Sequence, residues 1–145
     1  MSRYSSITQA SNLVTTTAAW EIKAPNTAKP ALMELSFNMF LAGSGMIWGL
    51  GKAATSGTAI GAVAVQSEVN ATEQGMTKCA VVWSVAPTVP VQFFRRVSPP
   101  AAVGGGIIWN FIRGLEMSPG TSLVLWNLTS NVSAGYLTVN ATVDE

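Results

Sequence analysis

The sequence contains no histidine in its 145 residues. This absence removes the Ser–His and Cys–His nucleophile pairs, the commonest general base and most zinc sites. A glycosidase needs two carboxylates that face each other across a sugar, and the scatter of the acidic residues does not favour such a pair. We therefore expect a protein that is not an enzyme and that uses neither a metal nor a cofactor. The seven carboxylates are Glu21, Glu34, Glu68, Glu73, Glu116, Asp144 and Glu145.

Charge is scarce as well. Charged residues make up 10% of the chain, against roughly 25% in an average protein, while apolar residues make up 48%. A soluble chain with so few charges usually has part of its surface covered, so we expect an obligate oligomer. The alternative is a monomer rich in Ser, Thr and Asn. The net charge is +1 and the only adjacent basic pair is Arg95-Arg96, which argues against a nucleic-acid partner.

One cysteine, Cys79, excludes an internal disulfide and lies in an apolar run, where a buried thiol is expected. This cysteine usage fits folding in a reducing cytosol. The apolar stretches at 35–51 and 117–143 are interrupted by Gly, Ser, Thr and Asn, so we expect no membrane span. The first residues are polar and show no apolar core of a signal peptide.

Residues 1–30 differ in composition from the rest of the chain. They are rich in Ser, Thr and Ala and end with Pro25 and Pro30. We interpret them as an extended N-terminal arm, with one short strand near residues 16–22, that becomes ordered on a neighbouring molecule or stays disordered. Residues 31–145 then form the folded domain.

That domain consists of short β runs separated by turn residues. Leu35, Phe37 and Met39 alternate with polar residues, which is the period-2 signature of a strand with one buried face. About eight such runs, and no convincing helix, predict an all-β, two-sheet β-sandwich, most naturally an eight-stranded jelly roll. The segment 63–77 has mixed propensity and is compatible with a turn of helix or a long loop. The predicted runs are 35–39, 46–50, 58–65, 77–85, 91–97, 107–112, 122–128 and 136–143.

Large aromatic and cationic side chains are the candidates for contacts with another subunit or with a larger protein surface. A tryptophan in a strand usually fills the core or an intersubunit seam, and a sugar-stacking platform is the functional alternative. Trp126 and Leu125 lie on opposite faces of one predicted strand, so something outside its sheet must cover one face. The cations are expected at sheet edges or in salt bridges with Glu116 or a neighbour. The candidates are Trp20, Trp48, Trp109, Trp126, Arg95, Arg96 and Arg113.

The C-terminal part of the sequence carries a family resemblance. A Trp-rich run at 106–112 leads into Arg113-Gly114-Leu115, then a Ser-Pro-Gly turn at 118–120, the run 122–127 and a closing alternation that ends in Asp144-Glu145. This arrangement resembles small virion proteins of tailed bacteriophages, which are trimeric jelly rolls of the tumour-necrosis-factor type. The resemblance implies a homotrimeric capsid decoration (cement) protein that binds the major capsid protein on the outside of the head, after synthesis in the host cytoplasm.

Two other roles remain open at this stage. One is a receptor- or glycan-binding module of a phage fibre or tail, which would stack a sugar on an exposed tryptophan. The other is a shell-forming jelly-roll capsid subunit. In all three cases the partners are copies of the chain itself and other proteins or glycans, with no nucleic acid and no membrane.

Overall fold

The computed structural model describes residues 2–10, 17–41, 46–70, 72–100, 102–129 and 136–145. Every regular element within these ranges is a β-strand, and there are twelve of them. The prediction of an all-β chain is thus confirmed over the described residues. In chain order the strands are β1 (Arg3–Ala10), β2 (Thr17–Lys23), β3 (Ala31–Leu41), β4 (Trp48–Lys52), β5 (Thr58–Ala59), β6 (Val63–Ser67), β7 (Gln74–Ala80), β8 (Trp83–Val85), β9 (Phe93–Val97), β10 (Gly106–Glu116), β11 (Ser122–Asn127) and β12 (Tyr136–Asp144).

Ten of these strands form one continuous sheet, while β5 and β8 pair separately. The order across the large sheet is β10, β3, β12, β1, β6, β7, β2, β11, β4, β9, and all its ladders are antiparallel. The outermost strands are therefore β10 and β9, and each of them has a ladder on one side only. The sequence predicts two sheets of about eight strands in total, so both the continuity and the number of strands differ from that prediction.

Early strands pair with late strands in reverse order once β5–β8 are set aside. The pairs are β1 with β12, β2 with β11, β3 with β10 and β4 with β9. Since β12 also pairs with β3, and β11 with β4, two groups of four strands result: β10-β3-β12-β1 and β2-β11-β4-β9. The inserted hairpin of β6 and β7 joins the groups, because β6 pairs with β1 and β7 with β2.

The core lies between these two groups, which face each other because the sheet curls round. Phe37 of β3 meets Trp48 of β4 edge-on, with ring centres 6.0 Å apart, and it meets Trp109 of β10 at 5.3 Å. Burial of such side chains stabilises the fold by roughly 25 cal/mol per Å² of apolar surface removed from water. The alternation predicted for residues 35–39 and 136–143 is confirmed. Leu35, Phe37, Met39, Leu137, Val139, Ala141 and Val143 all point into the core.

The first two strands correct the prediction of an N-terminal arm. In the sheet, β1 lies between β12 and β6, and β2 lies between β7 and β11. The arm prediction is therefore wrong for these residues. The sequence misled because the inward side chains of β1 include Ser6 and Thr8, each only 7% exposed. A buried face made of hydroxyl groups gives no hydrophobic alternation in the sequence. The short strand expected near residues 16–22 is confirmed as β2, although residue 16 lies outside the described ranges.

The middle of the chain holds the additional strands. The segment 63–77, predicted as a helical turn or a long loop, contains β6 and the first part of β7, which pair with each other. The single run predicted over residues 77–85 is divided into β7 and β8 at Val81 and Val82. Small residues between 58 and 64 weaken the sequence signal for strands there, because Ala and Gly have low β-propensity.

A second layer of the same chain, formed by the pair of β5 and β8 and the segment around Pro90, covers the outer face of β2, β11 and β4. We call it the inserted layer. Glu21 of β2 and Val124 of β11 point away from the core, yet they are buried. Val124 pairs with Gly51 of β4, and a Cβ added at Gly51 would lie 2.5 Å from the Pro90 Cβ, so only glycine allows this close approach. The cover that the sequence requires for the second face of β11 is therefore supplied by the chain itself.

Candidate interaction surface

The two outermost strands approach each other at one side of the molecule. The Arg95 guanidinium of β9 lies over the Phe111 ring of β10, 5.6 Å from its centre. No ladder joins β9 to β10 in the part of the chain that the structure describes. Each strand therefore leaves one row of backbone N–H and C=O groups without a sheet partner. We call this region, formed by β9 and β10, the open edge.

Apolar side chains are exposed along the open edge. Ile112 and Ile108 of β10 are 96% and 62% exposed, and Phe94 of β9 is 43% exposed. A long, apolar strand with an unpaired edge is a template for pairing with another chain unless it is covered. The open edge thus combines exposed apolar side chains with backbone groups that lack a sheet partner, which makes it a candidate for contact with another chain.

A wide depression lies beside the open edge, with a volume of about 480 Å³. Phe111 and Ile112 form part of its wall, and Arg3, Glu34 and Glu68 add charged groups. Arg3 pairs with Asp144, with 3.1 Å between Nε and Oδ1. The depression combines an apolar wall with carboxylates, so it suits a partner side chain with an apolar stem and a cationic end.

Three of the four candidate tryptophans are buried. Trp20 and Trp48 are fully buried, and Trp109 is 8% exposed, all within the core of their own chain. The two facing strand groups enclose them, so these side chains leave almost no surface for a contact with a subunit or a capsid. Trp126 is half-buried on the outer side of β11 and keeps some accessible surface.

The three candidate arginines are all exposed. Arg95 and Arg96 lie on β9, where Arg96 stacks over the Phe93 ring at 5.0 Å. Arg113 lies on β10 next to Gly114, whose φ of +71° accompanies an irregularity in the ladder with β3. Glu116, the suggested partner of these cations, forms its ion pair with Lys29 at 3.9 Å. The three guanidinium groups therefore lie at or near the open edge, where Arg95 and Arg96 are in contact with aromatic rings.

A buried carboxylate that the sequence reasoning did not single out connects the two layers. Glu21 is 2% exposed. Its Oε1 accepts a hydrogen bond from the Gly57 N–H at 2.9 Å, and its Oε2 accepts one from the Trp83 indole N–H at 2.7 Å. One acidic residue inside the apolar run Ala18–Ile22 was the available signal, because a buried charge requires specific donors.

The described part of the chain shows neither a group of metal ligands nor an activated thiol. Among the described residues, no three Cys, Asp or Glu side chains lie together as a possible metal site. Cys79 is buried, and burial raises the pKa of its thiol to about 12, against the opposing effects of Ser6 and Trp20. A thiol with so high a pKa is protonated at neutral pH and is a poor nucleophile.

Comparison with known proteins finds no matching family model and no curated protein of significant similarity. Within the described ranges, no helix is long and apolar enough to cross a membrane. The open edge and the order of the strands are therefore the features from which we infer a function.

Proposed function

We propose that the protein is a structural component of a tailed-bacteriophage virion, most specifically a homotrimeric decoration (cement) protein that binds the outer surface of the head shell. The open edge is the observation that carries this proposal. There, backbone groups without a sheet partner lie beside the exposed side chains of Ile108, Ile112 and Phe94. Association with another copy would remove both the backbone groups and the side chains from water. Such burial is the main driving force of obligate association.

The order of the strands supports a jelly roll as the underlying fold. Two Greek keys wound together pair the first strand with the last, the second with the next to last, and so on inward. The pairs β1–β12, β2–β11, β3–β10 and β4–β9 follow this scheme. We therefore treat β5–β8 as an insertion into an eight-stranded jelly roll, a fold that builds viral capsid and lectin domains.

Charge complementarity supports a ring of copies. The open edge carries Arg95 and Arg96, and the depression beside it carries Glu34 and Glu68. The cations lie on β9, whereas Glu34 lies on β3 and Glu68 follows β6, so the two charged groups occupy separate positions beside the edge. A contact that pairs the cations of one copy with the carboxylates of the next is head-to-tail, and head-to-tail contacts close into rings such as trimers when the rotation permits. An interface of about 1,600 Å² in total per pair would be of ordinary size, with aliphatic side chains in place of the buried tryptophans at its centre.

Attachment to the shell requires a surface that the ring leaves free. Of the N-terminal residues that the sequence suggested for this purpose, 3–10 and 17–23 form β1 and β2 inside the sheet. Trp126, half-buried on the outer side of β11, is the remaining aromatic candidate, since aromatic side chains are enriched at interface centres. In this role the protein would bridge neighbouring capsomers and resist the internal pressure of the packaged DNA.

Co-sedimentation with heads assembled without this protein tests the proposal. We expect the wild-type protein to saturate a fixed number of sites per head and to raise the temperature at which the heads break. Trp126→Ala should weaken head binding while the protein stays oligomeric. An oligomer that binds no heads, but whose tryptophan fluorescence one glycan quenches saturably, would replace this role by receptor recognition. Closed particles formed by the protein alone would indicate a shell subunit instead.

A further inference from the structure

We infer that Lys23 of β2 and Lys78 of β7 form a binding site for one oxyanion group, either a free sulfate or phosphate or a carboxylate of a partner. The two residues lie directly opposite each other in the antiparallel ladder, and both are exposed. Side chains of directly opposite residues leave the sheet on the same face, and like charges in such a pair destabilise it. An anion between the two ammonium groups would replace this repulsion by attraction.

Neither Lys23 nor Lys78 forms an ion pair with a carboxylate among the described residues. The ion pairs found there join Arg3 to Asp144 and Lys29 to Glu116. Glu21 lies two residues before Lys23 on the same face of β2, so it is the expected partner. Its two oxygens, however, accept hydrogen bonds from Gly57 and Trp83, and it forms no ion pair with either lysine. The Glu21 carboxylate is thus hydrogen-bonded on both oxygens, and the depression on the other side of the lysines, beside Asn26, does not include it.

The surface around the two lysines is concave on both sides. A depression of about 260 Å³ is bordered by Lys23, Lys78, Thr58 and Glu21, which is 2% exposed and whose carboxylate is hydrogen-bonded to Gly57 and Trp83. A second one, of about 340 Å³, is bordered by the same lysines and by Asn26. The Thr58 hydroxyl and the Asn26 side-chain amide can donate hydrogen bonds to an anion. Either depression has room for a sulfate ion or for a carboxylate side chain.

This site is separate from the open edge and does not depend on the proposed virion role. It lies on the β2–β7 ladder, near the middle of the sheet, whereas β9 and β10 form the two ends. The sequence gives no indication of it, because Lys23 and Lys78 are 55 positions apart (78 − 23) and only the ladder places them side by side.

Nuclear magnetic resonance titration of the full chain with sodium sulfate and with inorganic phosphate, at constant ionic strength, tests the inference. We expect saturable shifts of the Lys23, Lys78 and Gly57 amides. Each single variant, Lys23→Gln or Lys78→Gln, should weaken binding at least threefold, and the double variant at least tenfold. Lys29→Gln, whose lysine is paired with Glu116, and Lys52→Gln on β4 are the controls and should bind as the wild type does.

A blocked peptide of three glutamates identifies the source of the anion. Binding at least tenfold tighter than that of phosphate, and lost in the double variant, would indicate an acidic segment of a partner protein. Equal or weaker peptide binding would indicate a free oxyanion. Shifts that rise linearly without saturation, or equal affinity in the wild type and the double variant, would overturn the inference.

Discussion

The Arg95 guanidinium lies 5.6 Å from the centre of the Phe111 ring, and these two side chains bridge the ends of the ten-stranded sheet. A cation–π contact at an exposed site contributes about 0.5–1 kcal/mol, and it leaves the backbone groups of both strands without sheet partners. The bridge therefore aligns β9 with β10 without closing the sheet. What remains is an apolar surface that another copy of the chain can cover.

Replacing Ile112 by Glu should abolish self-association and leave the fold intact. Because Ile112 is 96% exposed, the change removes nothing from the core and should alter the free energy of unfolding by less than about 0.5 kcal/mol. A carboxylate in an apolar interface loses its hydration without gaining a partner. Sedimentation velocity measures the association state, and urea denaturation measures the stability.

Ile60→Glu provides the matched control for this substitution. Ile60 is also exposed, but it follows β5 in the inserted layer and lies outside the open edge. The Ile60→Glu protein should sediment as the wild type does. If Ile112→Glu also kept the wild-type sedimentation coefficient, the subunit interface would have to lie on another face of the molecule.

Much of the fold is readable from the sequence where one face of a strand is apolar and the other polar. Leu35, Phe37 and Met39, for example, alternate with polar residues and do point into the core. Ser6 and Thr8 are buried as well, but their hydroxyl groups look like those of a solvated segment. The result is that β1, an interior strand, resembles an arm when only hydropathy is considered.

The candidate site was less predictable, because an edge is a property of the whole sheet. The sequence predicts a strand at Ile107–Ile112. That one side of this strand is free becomes visible only in the sheet, where β10 pairs with β3 and with no other strand. Tryptophans mark large apolar surface, but the sequence does not say whether their own chain encloses them. Trp20 and Trp48 are buried within their own chain, so they mark its core and not a contact with another subunit.

Glu145 should contribute to stability through the backbone of β7. Its carboxylate accepts hydrogen bonds from the N–H groups of Met76, at 2.9 Å, and Thr77, at 2.6 Å. Glu145→Ala would leave both donors without this acceptor and should lower the free energy of unfolding by about 1–2 kcal/mol. Amide hydrogen exchange should become faster at Met76 and Thr77 in particular.

Asp144→Asn is the neighbouring control. Asp144 pairs with the half-exposed Arg3 side chain, and exposed ion pairs of this kind contribute little. The Asn variant should therefore unfold at nearly the wild-type urea concentration. If both variants lowered the free energy of unfolding equally, loss of a negative charge would explain both results, and the hydrogen bonds from Met76 and Thr77 would contribute nothing of their own.

Trp83→Phe should loosen the inserted layer. The change removes the indole donor 2.7 Å from the Glu21 carboxylate, which is buried and would keep only the Gly57 N–H. A lost hydrogen bond to a buried charged group costs about 1.5–3 kcal/mol. Trp126→Phe, at another half-buried tryptophan, should cost less, because no Glu21 contact is lost. Denaturation in urea compares the two, and equal costs would argue against Glu21 as the link between the layers.

Because Cys79 is buried, we expect the free energy of unfolding to fall at alkaline pH. Its thiol pKa is raised by burial to about 12 in the folded chain, from an ordinary value of 9.0. Between these values the unfolded chain has released the proton and the folded chain has not, so stability is full below pH 9 and falls as the pH rises toward 12. From pH 8 to pH 10 the wild type should lose roughly 1 kcal/mol more than Cys79→Ala. Parallel stability curves for the two proteins would contradict this.

Native mass spectrometry of the purified protein measures directly whether the chain covers its open edge with copies of itself. We expect the wild type at three times the 15.2 kDa chain mass, and Ile112→Glu at the mass of one chain. A wild-type protein that stays at 15.2 kDa at every concentration, with Ile108 and Ile112 in water, would contradict the proposed assembly.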